Sequence, residues 1–352
     1  MQRLKDVLKK NKRVVDSYNT LLVIKQYLQA DKVRKYNTEK DGERYFVLRF
    51  VNSQAGFMTV LMSVLTWLNY AISHGYILVT DISIELDCYR NETDADNSGR
   101  VGLDEYIDQP MVVLSSTDSF ISDVYSNHYY MLPPSHSRFG MTIIHPVCRM
   151  ISRIVPPKIK PPMIRDYKER PKAQARYCEL YEQYIHYTPS VQRYLDDEVR
   201  GLLLNKGIVL GVLVRGTDYT QQRPHNHPIQ PPVSDVIKLV QNITAEHPWD
   251  YLYLATDERR TEDLFTKTFP GKVIVNKRCY YDGEYTNRYL CDVKSDREND
   301  EYLRNLEYLS SMNLLAHCDM FIGGLCTGSQ AVLIMRGNRQ FEYCHLFDLG
   351  NY

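Results

Sequence analysis

The chain has 352 residues, enough for two domains of ordinary size or for one large α/β unit. Apolar residues make up 43% and charged residues 24%, a globular composition that excludes a largely disordered chain. Lys plus Arg and Asp plus Glu both number 43, so no global field argues for a nucleic-acid partner.

The start of the chain departs from that balance. Between Arg3 and Lys35 ten basic residues stand against three acidic ones. Val7, Leu8, Val14, Val15, Leu21, Leu22, Ile24 and Leu28 recur among them at roughly helical spacing. A basic helical segment is therefore expected over 1–40. It either docks on an anionic membrane surface through residues 1–35 or packs as a solvated helix on its own domain. The eight cysteines form no Cys-x-x-Cys pair, and several, such as Cys318, sit inside apolar runs. Reduced, buried thiols are expected rather than a disulfide framework. No signal peptide is seen at the start, and no apolar stretch reaches the ~18 residues of a bilayer span. The expectation is a cytoplasmic protein, soluble or peripheral at the inner face of the membrane.

The first α/β unit opens with a strand at Phe46–Val51, a turn at Asn52-Ser-Gln-Ala-Gly-Phe57 and a helix at Met58–Ser73. Gly75 ends that helix and Tyr76–Thr80 forms the next strand. Residues 88–109 are polar and irregular. Within them Asp94-Ala-Asp-Asn-Ser-Gly-Arg-Val-Gly-Leu-Asp-Glu105 fits the twelve-residue calcium loop. That motif needs a helix on each side. Here Asp81–Asp87 alternates like a strand and Pro110 soon follows, so a plain loop is the stronger reading. Pro133-Pro134, Pro156-Pro157 and Pro161-Pro162 punctuate the middle, and a Tyr-rich helical segment runs from Lys168 to Arg200.

From there strands and helices alternate regularly. The apolar run Ile208-Val-Leu-Gly-Val-Leu-Val214, bounded by Gly207, reads as a strand buried on both faces of a parallel sheet. After a loop come a helix at 234–246, a strand at Tyr251–Ala255, a helix at 258–268 and a short strand at Val273–Val275. A helix at 299–317 puts Tyr302, Leu306, Leu309 and Ala316 on one face, and Met320–Ile322 is the last clear strand before a final helix. This doubly wound pattern directs several strand ends at one cleft. Two facing Rossmann-like domains are expected, one at 41–200 and the other at 201–352.

Chemistry gathers at those strand ends. The strand 208–214 stops at Arg215, where an always-charged, five-donor guanidinium is a natural clamp for phosphate; the alternative is a structural Arg215–Asp218 pair. The turn Gly323-Gly-Leu-Cys-Thr-Gly-Ser-Gln330 sets three glycines and two hydroxyls at a strand-to-helix junction, where free N–H groups and the helix dipole favour an anion. It matches neither Gly-x-Gly-x-x-Gly nor the P-loop. Asp257 follows its strand and either accepts bonds from a base or ribose or caps the next helix. His225 and His227 lie in a loop with four prolines, Tyr219–Pro232. His227 is the candidate general base, set against a loop histidine bonded to backbone. With no third ligand clustered beside them, a zinc site is not expected.

Four of these segments, in order, resemble the fucosyltransferase superfamily that includes the α1,6-, α1,2- and protein O-fucosyltransferases. Val214-Arg-Gly-Thr-Asp218 is similar to its His-x-Arg-Arg-Thr-Asp motif, and Asn52–Phe57 to its Gly-rich opening turn. Tyr253-Leu-Ala-Thr-Asp257 is similar to its Ala-(Ser/Thr)-Asp strand end, and Asp319–Gln330 to its terminal Ser-Ser-Gln turn. The resemblance spans about residues 44–350. It implies a GT-B fold and an inverting, metal-independent transfer of fucose from GDP-fucose. It makes Arg215 the grip on the donor phosphate and Asp218 its orienting partner. Thr327, Gly328, Ser329 and Gln330 would lie by the phosphate and sugar, with Gly56 and Phe57 on the opening turn. The chain departs from the motif at Gly216, which replaces the second arginine, at Arg223, which replaces an acidic candidate base, and at Met58 and Thr59, which replace an amide-bearing Asn. The implied product is a fucosylated glycan hydroxyl in a surface polysaccharide, on a glycan or lipid-linked acceptor. The alternatives are a same-fold transferase with another nucleotide sugar, or a non-catalytic nucleotide, glycan or calcium-binding module.

Overall fold

The computed structural model describes residues 39–40, 43–50, 57–81, 106–108, 113–114, 129–132, 171–223, 227–281, 283, 290 and 296–352. The expected basic helix, Gly56, the calcium-like loop Asp94–Glu105 and His225 lie outside these residues. The chain divides into two compact units. One comprises Met1–Pro161, Tyr184–Thr188 and Asp296–Tyr302, and the other Pro162–Gln183, Pro189–Ser295 and Leu303–Tyr352. The helical segment before residue 200, read from sequence with the first half, clusters largely with the second unit.

In the first unit, β1 (Glu39–Lys40) pairs antiparallel with β2 (Glu43–Phe50). Helix α1 (Phe57–Ser73) then leads to β3 (Ile77–Asp81), which lies parallel to β2. Short strands β4 (Ile107–Asp108), β5 (Val113–Leu114) and β6 (Tyr129–Leu132) follow. β5 joins β3 and β6 joins β2, both in parallel, while β4 pairs antiparallel with β7 (His186–Tyr187). Helix α1 buries Met58, Leu61, Leu65 and Leu68 at three- and four-residue steps, the spacing of one helical face. It closes at Gly75, whose φ of 68° is left-handed, with the Tyr76 amide donating to the Ala71 carbonyl at 2.9 Å.

The second unit begins with α2 (Pro171–Tyr184) and α3 (Pro189–Leu202), each opening on a proline that needs no amide partner at that position. What reads from sequence as one Tyr-rich helical segment is thus two helices, parted by β7. Next come β8 (Val209–Val214), α4 (Thr217–Gln222), α5 (Val233–Ile243), β9 (Tyr251–Thr256), α6 (Arg259–Thr268) and β10 (Val273–Ile274). Helix α7 (Asp300–His317), β11 (Met320–Gly324), α8 (Thr327–Arg336) and β12 (Tyr343–Phe347) complete it. The five strands are parallel and run β10-β9-β8-β11-β12.

Every residue of β8 and β11 is buried, as expected for strands covered on both faces. On one side Leu210, Val212, Val214, Leu252, Leu254, Met320 and Ile322 pack with Val236, Val240 and Phe265 of α5 and α6. On the other, α7 comes so close that a Cβ on Gly211 would stand 3.0 Å from Leu315 Cδ2 and 3.1 Å from the Cys318 sulfur. The strand order has one consequence for function. The chain leaves β8 toward β9 and β10 on one side, then returns to add β11 and β12 on the other. The order therefore reverses between β8 and β11, and ligands of open α/β sheets bind outside the carboxyl ends of strands at such a reversal.

Candidate functional site

Arg215 is the first residue beyond β8, at the reversal itself. Its Nη1 donates to Asp257 Oδ2 at 2.9 Å and its Nη2 to Asp218 Oδ1 at 3.3 Å. The side chain is 25% exposed, so the guanidinium N–H groups that these two bonds leave over can reach a ligand. Burial opposes its charge, but Asp257 and then Asp218 outweigh burial and raise its pKa, so it stays a cation.

Asp257 follows β9, yet it neither caps α6 nor offers a free carboxylate. Glu258 holds the cap position. Asp257 Oδ2 also accepts from Thr217 Oγ1 at 2.9 Å, and Oδ1 accepts from the Gly216 amide at 3.2 Å. With both oxygens engaged inside the chain, Asp257 holds Arg215 and the turn that follows. Asp218 acts alongside: Oδ1 takes Arg215 and Thr217 Oγ1, and Oδ2 takes the Leu290 amide at 2.9 Å. The structural Arg215–Asp218 pair and the phosphate-clamp reading are therefore compatible.

The turn between Arg215 and α4 is strained. Thr217 has φ of 50°, a left-handed conformation costly for a β-branched residue, and three bonds fix it there. Gly216 is the position where the resembled motif has its second arginine. A Cβ on Gly216 would overlap the Glu258 carboxylate, which accepts the Thr217 amide at 3.1 Å and pairs with Arg260. The loss of that arginine is thus built into the packing.

Across the reversal, β11 runs into the N-terminus of α8. Cys326 is its cap: the sulfur accepts from the Ser329 amide at 3.5 Å, and the Cys326 carbonyl accepts from the Gln330 amide at 3.1 Å. Among the described residues the Thr327 and Gly328 amides have no acceptor, and they lie at the positive end of the helix dipole. Ser329 Oγ turns inward to the Gly324 carbonyl at 2.6 Å, and Ser329 and Gln330 are buried. Of the four predicted residues, Thr327 and Gly328 present donors outward, while Ser329 and Gln330 build the turn. Gln230, from the proline-rich loop, braces it: its Nε2 donates to the Leu325 carbonyl at 2.9 Å.

His227 stands edge-on to Tyr219 with ring centres 5.7 Å apart, and the Tyr219 ring lies 5.8 Å from the Arg215 guanidinium carbon. The loop is fastened by the segment after β12, with Ile229 donating to Gly350 and Tyr352 to His227. The second unit thus groups Arg215, Asp218, Asp257, Thr327, Gly328 and His227 around the ends of β8, β9 and β11. Phe57 belongs to the first unit. Its ring is buried and meets Tyr106 edge-on at 5.0 Å, so its side chain packs the core.

Sequence reading missed Thr217, Glu258, Tyr219 and Tyr308. A Thr beside Gly216 gives no sign of its left-handed φ. Tyr308 lies in α7 among core positions, and only the space left by Gly328 reveals where its hydroxyl points. Among the described residues no group of three or more His, Cys, Asp or Glu side chains could hold a metal ion, and no helix is long and apolar enough to cross a membrane.

No protein-family model matches the sequence, and no curated protein matches it. Solved structures resemble the chain at low identity. The fucosyltransferase NodZ from Bradyrhizobium is 16% identical, with 87% of this chain and 96% of that chain covered at a TM-score of 0.47. POFUT1 in complex with GDP is 11% identical, with 86% and 98% covered at 0.48. Arabidopsis thaliana FUT1 in complex with GDP is 11% identical, with 92% and 77% covered at 0.44.

Proposed function

We propose that the protein is a glycosyltransferase that transfers fucose from GDP-fucose to a glycan hydroxyl with inversion and without a metal ion. The observation that carries this reading is the pairing of Arg215 with the free N-terminal amides of α8 across the sheet reversal between β8 and β11. Such a pairing suits a diphosphate. Its fixed donors need no reorganisation as negative charge grows on the leaving group. In the reaction the bond from the anomeric carbon to the β-phosphate oxygen breaks, and its electrons stay with GDP. The acceptor oxygen bonds to the opposite face of that carbon. Its proton passes to His227, whose ring meets Tyr219 beside Arg215, and then to water. A polysaccharide or lipid-linked acceptor rests on the family resemblance alone, and a peripheral site at the inner face of the membrane on the basic composition of residues 1–35.

Titration calorimetry of EDTA-treated protein with GDP, GDP-fucose, GDP-mannose and UDP-glucose tests the donor. GDP ligands are expected to bind and UDP-glucose to fail. Arg215→Ala is expected to lower turnover of GDP-fucose by about 10²–10³. If none of the four ligands binds, or if the mutant turns over within a few-fold of wild type, the reading falls.

A further inference from the structure

Tyr308 lies in α7, and its hydroxyl is directed at the N-terminus of α8. A Cβ on Gly328 would stand 2.8 Å from that hydroxyl, 3.1 Å from the Met312 sulfur and 3.4 Å from Leu213 Cδ2, so the missing side chain at 328 is what admits the phenol. Arg215, Asp257 and Cys326 lie near enough to act electrostatically on it, from the ends of β8, β9 and β11. The phenol is only partly buried, and no hydrogen bond to its hydroxyl is found among the described residues. Burial, followed by Cys326, pushes its pKa above the ordinary tyrosine value, so near neutral pH the group is an intact O–H.

Counted by hydrogen-bonding role, the crevice has an excess of donors. Arg215 keeps N–H groups beyond the two given to Asp257 and Asp218, and among the described residues the Thr327 and Gly328 amides have no acceptor. The nearby carboxylates are engaged by the chain itself: Asp257 by Arg215, Thr217 and Gly216, and Asp218 by Arg215, Thr217 and Leu290. A ligand that satisfies this set must be rich in acceptors and poor in donors, as a diphosphate is. We infer that the Tyr308 hydroxyl is a ligand of the nucleotide diphosphate, donating to the phosphate oxygens that the Gly328 amide and Arg215 also face. The inference rests on the donor site proposed above and adds a residue that no motif in the sequence marks.

Tyr308→Phe keeps the ring and its packing on Gly328 while removing the one donor. Calorimetry with GDP is expected to show binding weakened about tenfold, the size of one hydrogen bond to a charged acceptor. The melting temperature should stay within about 2 °C of wild type, because the hydroxyl removed has no hydrogen bond among the described residues and the ring packing is kept, a change of ~0.5 kcal/mol. Gly328→Ala, which drives a methyl against the hydroxyl, should weaken GDP similarly and serves if Tyr308→Phe folds poorly. If wild type binds GDP and both variants bind it within twofold of wild type, Tyr308 is not a ligand and the donor reading stands. If wild type binds no nucleoside diphosphate, both readings fall together.

Discussion

Asp257→Asn separates the holding of Arg215 from its charge. The two side chains have the same shape, but Asn has one acceptor oxygen where Asp257 uses two. If the amide oxygen stays with Arg215 and Thr217, the NH₂ group faces the Gly216 amide, donor against donor. If it flips, the NH₂ group meets the guanidinium and the Thr217 hydroxyl. Either way at least one buried donor is unpaired, at about 1–3 kcal/mol. Arg215 would keep only Asp218, at 3.3 Å. Breaking a fully buried ion pair costs about 3–5 kcal/mol, but Arg215 is 25% exposed and water offsets part of that. A loss of about 2–3 kcal/mol follows, or roughly 5–10 °C in a unit of this size. Catalysis should respond differently from affinity. Removing a carboxylate makes the crevice more attractive to an anion, so GDP affinity should change only a few-fold. A guanidinium displaced by about 1 Å from the leaving oxygen costs on the order of 10²-fold in rate. Scanning calorimetry and GDP release from GDP-fucose read the two effects. A melting temperature within a degree of wild type together with unchanged turnover would show that Arg215 needs no help from Asp257.

Gly216→Ala should destabilise by about 1–3 kcal/mol, because the new methyl must push Glu258 off the Thr217 amide; denaturant titration measures it. At Thr217, Val keeps the strain and loses both hydroxyl bonds, whereas Gly loses the bonds and relieves the left-handed φ. Thr217→Gly should therefore be the more stable of the two by about 1 kcal/mol, and the opposite order in paired melts would contradict strain at this turn. For Glu258 burial pushes the pKa up, but Arg260 and the Thr217 amide outweigh it, and the carboxyl ends below its ordinary value. Its contribution is thus present above the unfolded pKa of about 4.3 and lost as pH falls through the lower folded value. Melting temperature should fall on acidification below that range, and Glu258→Gln should flatten the fall.

The alternation from residue 208 onward was legible because its strands are short apolar runs ended by polar turns. Arg215 stood out as the first charge after the longest of those runs. What stayed hidden depends on strand order. Sequence does not say that β11 returns to the far side of β8, and only that return sets the α8 amides opposite Arg215. Asp257 shows the same limit in one residue. Its place after a strand and before a helix fits a cap or a ribose ligand equally well, and the choice is made by Arg215 and Thr217, about forty residues earlier. The short β12 was missed because Tyr343–Phe347 is mostly half-exposed and does not read as a buried strand.

The charge balance at the reversal bears on how an anion can bind there at all. One guanidinium is flanked by two buried carboxylates, so the Arg215 cluster carries no surplus positive charge of its own. Long-range attraction is then weak, and affinity must come from directed donors at short range: the N–H groups left on Arg215, the two free amides of α8 and the dipole behind them. Such donors suit a leaving group better than a pocket of loose lysines would. They are aimed before the substrate arrives, and their effect grows with the charge that forms as the sugar departs. The carboxylates lower raw affinity and fix direction, which on the proposed transferase reading suits a site that releases its diphosphate after every turnover.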